Sequence, residues 1–145
     1  MKEQFVTLAI AKELKLLGFN EPCMIHVYTG NTAVNVDTYH ECLPRLADDF
    51  NKIDMCISIP LWQQVLQWFR EKHNFHIEIH NGCSKKEMDM YFNKYKAKVV
   101  NTKFYNDDIR NTIFNTYYFD TYEDVLENTI LHVIETIKYL KPCNT

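Results

Sequence analysis

The pattern His76-x-Glu78-x-His80 is the sharpest chemical constellation in the chain. On an extended strand, alternate side chains point to one side at about 6.5–7 Å spacing, so two imidazoles and a carboxylate would share a face. Such a set is acceptable to zinc or iron, with His26 on another strand as a fourth ligand. A facial metal centre, however, draws its ligands from more than one element, and closely spaced ligand pairs are absent from this sequence. The preferred reading is the solvated face of a half-buried strand, with no metal and no cofactor expected. Cys83 follows Gly82 closely after His80, which brings a thiol within sequence reach of an imidazole. Neighbours in sequence rarely form a nucleophile–base dyad, and no oxyanion loop accompanies them, so no residue is assigned a catalytic role.

Stacking is a third chemistry. Tyr28, Tyr105 and Tyr118 offer π surfaces to a base, and Lys103 and His76 would meet phosphate. The competing reading packs these tyrosines against a loop or a second subunit. The candidate ligand-binding set is Tyr28, His76, Glu78, Lys103 and Tyr118. For Trp68, Phe69 and Phe119 a packing role is preferred over a ligand box.

Strands must present such residues and helices must back them. The stretch from Ser58 to Asn74 is central: Ser58 suits an N-cap, Pro60 tolerates the first turn, and Leu61, Val65, Trp68, Phe69 and Lys72 recur at helical spacing with Trp62 beside them. Gln63, Gln67 and Arg70 fall on the opposite side, and Asn74 suits the left-handed end. Phe75, Ile77 and Ile79 then alternate with His76, Glu78 and His80, the period of a half-buried strand.

An earlier helix starts at Thr7, buries Leu8, Ile10, Ala11, Leu14 and Leu17, exposes Lys12, Glu13 and Lys15, and ends at Gly18 with Phe19 as its hydrophobic cover. Ile25 and Val27 alternate with Met24, His26 and Tyr28 as a strand; a turn over 29–32 leads to a short return strand over 33–36. Thr38 with Glu41 resembles a capping box, and Tyr39, Cys42, Leu43, Leu46 and Phe50 have helical spacing, although Pro44 would break a single helix there. Asp48 and Asp49 read as solvated surface. Residues 84–96 fit helix and strand equally. Ala97 to Tyr105 and Asn111 to Phe119 favour strands. Thr121 caps a closing helix with Glu123 and Asp124 in its first turn and a broad apolar face from Val125 to Leu140.

These elements predict one α+β domain over 1–145: two layers, a mainly antiparallel sheet, and about three helices packed on one face. The other face would carry His26, Tyr28, His76, Glu78, His80, Lys103, Thr116 and Tyr118. The net charge of -3 argues against extended contact with duplex DNA, but not against capture of one small nucleotide. No apolar run approaches the ~20 residues of a membrane span. The start Met1-Lys2-Glu3-Gln4 lacks a signal-peptide core, so the cytoplasm is the expected compartment. Five cysteines, an odd number with no CxxC pair, favour free thiols over a disulfide framework.

Three blocks, FVTLAIAKELKLLGFNEPC, ISIPLWQQVLQWFREKHNFHI and YYFDTYEDVLENTIL, resemble small proteins of gut-bacterial phages and integrated mobile elements. The likeness covers about half the chain and leaves out residues 37–54 and 81–112. That family has no established activity, so the resemblance implies kinship and, for a phage protein, the host cytoplasm. Together with the missing catalytic motif it favours a non-enzymatic binding protein that sequesters a nucleotide-type signalling ligand or occupies a host defence factor. A symmetric homodimer would deepen a flat sheet face into a pocket. The alternative is a small metal- or thiol-dependent enzyme centred on His76, Glu78 and His80.

Overall fold

A computed structural model describes residues 4–29, 38–41, 47–81, 94–101, 112–116 and 118–140. The elements in order are α1 (Leu8–Leu17), β1 (Ile25–Tyr28), β2 (Thr38–Glu41), a 3-10 turn (Phe50–Lys52), β3 (Cys56–Ile59), α2 (Trp62–His73), β4 (Phe75–Asn81), β5 (Tyr95–Asn101), β6 (Thr112–Asn115) and α3 (Tyr122–Leu140). The fold is mixed α+β, with every strand pair antiparallel. The strands form two sheets of three, ordered β2-β1-β3 and β4-β5-β6. The chain divides into two compact units, Met1–Trp68 and Phe69–Thr145, with the division inside α2. No helix among the described residues is long and apolar enough to cross a membrane.

In the first unit α1 forms as its sequence predicts. The Thr7 hydroxyl accepts from the Ile10 N–H at 3.4 Å. At the other end Gly18 adopts φ 92°, which only glycine reaches without strain. Gly18 N–H then donates to Lys15 O and Phe19 N–H to Leu14 O, both at 3.0 Å, so two orphan carbonyls are sealed and Phe19 folds back as cover. Ile10, Ala11, Leu14 and Leu17 are buried, and α1 packs on β3. Lys15 departs from the solvated side expected of it: its ammonium donates to the carbonyls of Ile53, Asp54 and Cys56 at 3.1, 3.3 and 2.6 Å.

Two sequence expectations change here. Thr38 to Glu41 is strand β2, paired with β1 from Ile25↔Glu41 to Tyr28↔Thr38, not the start of a helix. A capping pattern is a three-residue signal, and cross-strand pairing outweighs it. The proposed return strand at 33–36 lies outside the described residues. Ser58 sits inside β3, 1% exposed, and does not cap α2. The helix begins four residues later, where Gln64 Oε1 accepts from the Leu61 N–H at 2.9 Å, the reciprocal half of a capping box. Cys56 to Ile59 is buried on both faces, so it shows none of the alternation that flags a strand.

In the second unit α2 ends at His73, and Asn74 takes φ 61° to turn the chain into β4. β4 pairs with β5 from Phe75↔Asn101 to Asn81↔Tyr95. β5 pairs with β6 across an irregularity where Val99 opposes Phe114 and Val100 opposes Thr112. Thr121 caps α3 by accepting from the Asp124 N–H at 3.1 Å. Val125, Leu126, Thr129, Ile130, Val133, Ile134 and Ile137 are buried, and α3 packs on β4 and β5. Leu140, expected on that apolar face, is 60% exposed.

Candidate functional site

Strand pleat decides which residues of the second sheet face α3. Ala97 and Val99 are fully buried. Phe114, opposite Val99, brings its ring to 5.5 Å from that of His132 on α3, and Tyr95 meets Tyr122 at 6.1 Å. The intervening positions therefore point away from the helix. On β4 these are His76, Glu78 and His80; on β5, directly opposite, they are Val100, Lys98 and Lys96. Asn115 of β6 opposes Lys98.

Glu78 lies between the two imidazoles, with Oε1 3.7 Å from His76 Nε2 and Oε2 3.4 Å from His80 Nε2. The three side chains are 39%, 38% and 50% exposed, so a ligand in solution can reach them. Tyr118 completes the face. The Lys96 ammonium donates to its hydroxyl at 3.3 Å and stands 5.2 Å from the ring centroid. The strip thus combines two ammonium groups, two imidazoles, one carboxylate already flanked by those imidazoles, and one aromatic ring. It suits an anion carrying a flat apolar group.

The structure places His76 and Glu78 on β4 and Tyr118 beside Lys96 of the neighbouring β5. Tyr28 belongs to β1 in the first unit and is 49% exposed. Lys103 lies outside the described residues, as do Cys83 and Tyr105. Lys96 and Lys98 were missed as site residues. Their signal is present, since Lys96 and Lys98 alternate with Ala97 and Val99 at period two: Lys96 falls before the strand expected from Ala97, and Lys98 falls inside it but has the opposite parity to Lys103, from which the open face was read. Among the described residues no three or more His, Cys, Asp and Glu side chains are placed to hold a metal ion.

His26, expected on an open face, is partly covered. Register aligns His40, His26 and Ser58 across β2, β1 and β3. The His26 ring lies nearly parallel to that of Phe50 at 4.0 Å and to that of His40 at 5.4 Å. Its Nδ1 edge is buried, and burial first, then the neighbouring His40, push the imidazole below its ordinary pKa.

The chain matches no protein-family model, no curated protein and no solved structure.

Proposed function

We propose that this chain is a non-enzymatic binding protein of a phage or mobile element, and that its ligand is a small nucleotide-type molecule held on the β4-β5-β6 face. The observation that carries the reading is the placement of Lys96 beside Tyr118, and of Lys96 and Lys98 opposite the His76-Glu78-His80 row. Phosphate oxygens would accept from the two ammonium groups, and a base would stack on Tyr118. The origin rests on the three sequence blocks given above. Sequestering a signalling nucleotide is how such a protein would blunt a host defence without catalysing a reaction.

Calorimetric titration with a panel of mono- and dinucleotides and with inorganic pyrophosphate tests this. Tyr118→Ala is expected to weaken nucleotide binding roughly 10–100-fold, the scale of one base–aromatic stack, and to affect pyrophosphate less. Lys96→Ala should weaken both, and Lys103→Ala tests the further cation expected from the sequence. Gln63→Ala and Arg70→Ala, on the exposed side of α2, should change nothing. Nucleotide binding that survives Tyr118→Ala and Lys96→Ala but is lost with Arg70→Ala would move the site to α2. No binding of any nucleotide by the wild-type protein would overturn the reading.

A further inference from the structure

We propose that the His26–His40 ring stack is a proton-operated latch: it holds β2 on its sheet while both imidazoles are neutral and releases β2 when they are charged. The argument lies entirely within the first unit. Among the described residues β2 is a four-residue edge strand, joined by its ladder to β1. A strand this short gains little from its ladder alone, so one ring contact carries weight. The two imidazoles lie 18° from parallel with centroids 5.4 Å apart, and Phe50 covers His26 at 4.0 Å.

The buried edge of His26 makes the stack sensitive to protons. Among the described residues its Nδ1 has no hydrogen-bond partner, and neither does Ser58 Oγ on the facing residue of β3. A neutral ring with its proton on Nε2 presents only a lone pair there, which is tolerable. A charged ring must place an N–H donor at a buried edge that makes no hydrogen bond to the described residues as they stand, stacked on the His40 ring. The charged side chains described on the adjoining segment over 47–52 are engaged with one another or with backbone. Asp48 pairs with Lys52 at 2.8 Å, and Asp49 accepts from the Asn51 N–H at 3.0 Å. On β1 and β3 the neighbouring titratable groups are Tyr28 and the buried Cys56.

The lowered pKa of His26 agrees in sign. An unfolded or released segment takes up the proton near the ordinary imidazole value of about 6.5, before the stacked ring does. The stability contributed by the neutral stack is therefore complete above that range and is lost as pH falls through the folded value.

Amide hydrogen exchange of the whole chain at pH 7.5 and 5.0, corrected for the intrinsic pH dependence of exchange, tests the latch. On acidification the amides of residues 38–41 should lose protection at least tenfold relative to those of α3. His26→Phe keeps a ring in the stack without its charge and should abolish the difference; His40→Phe removes the second charge and should reduce it. If one variant fails to fold, the other decides. Wild-type protection that is unchanged between the two pH values, or an equal loss in a folded Phe variant, would overturn the proposal.

Discussion

His26 alternates with Val27 on β1, and His76 alternates with Ile77 on β4. Both strands belong to three-stranded antiparallel sheets backed by a helix. Yet His26 has a buried ring edge and a lowered pKa, whereas the His76 side chain is 39% exposed beside a carboxylate. The difference comes from what returns over the sheet. In the first unit the Phe50–Lys52 turn comes back across β1 and β3, and Asn51 pins it there. Its Nδ2 donates to Phe19 O and its Oδ1 accepts from the Ser58 N–H, each at 2.9 Å. Across the second sheet's outer face the described residues offer only Tyr118, which lies beside Lys96. Alternation says which residues share a face; it does not say whether a distant segment will cover that face.

The largest expected effects come from two adjacent buried residues of α2. Trp68 is 3% exposed, with its ring 5.4 Å from that of Phe19, and Phe69 is fully buried. Trp68→Ala and Phe69→Ala should each cost roughly 3–5 kcal/mol in urea unfolding, through lost transfer energy and a residual cavity. A loss below about 1 kcal/mol for either would show that its side chain lies outside a packed core.

Asn51→Ala breaks the comparison directly. It leaves Phe19 O and the buried Ser58 N–H without their side-chain partner, at a cost of about 1–3 kcal/mol. The lid over His26 should then loosen, and the His26 ring protons should shift in NMR spectra toward those of an exposed histidine such as His80. Resonances of the second unit's sheet serve as the internal control. A variant with wild-type stability and an unchanged His26 environment would show that Asn51 does not pin the turn.

The legible parts of this fold are those where local chemistry and tertiary packing agree. The Thr7 cap, Gly18 and Phe19 ending, Asn74 reversal and Thr121 cap are short-range signals that tertiary structure uses unchanged. The alternation of β4 placed His76, Glu78 and His80 on one side, and Tyr118 shares that face. The illegible parts are those where a distant partner decides. Ser58 reads as a cap because its type suits one, but strand pairing with His26 claims it first. Thr38 and Glu41 read as a capping box for the same reason. Lys96 was hidden by a strand start set two residues late, and Lys98 by reading the open face from Lys103, which has the opposite parity along a strand.

The smallest effect compares the two threonine caps. In α1 the Thr7 hydroxyl accepts at 3.4 Å, and no acidic residue occupies the first turn. In α3 the Thr121 hydroxyl accepts at 3.1 Å, with Glu123 and Asp124 in the first turn to oppose the positive end of the helix dipole. The shorter bond is the stronger one. Thr121→Ala should therefore cost about 1 kcal/mol and Thr7→Ala about half of that, within the usual range for lost N-caps. α1 also has a second closure at Gly18 that survives loss of its cap. Urea unfolding of both variants, with unchanged dependence on denaturant, gives the order. If Thr7→Ala proved the more damaging, the hydroxyl of Thr7 would be holding more than the start of α1, and the first unit would depend on its helix entry more than the second does.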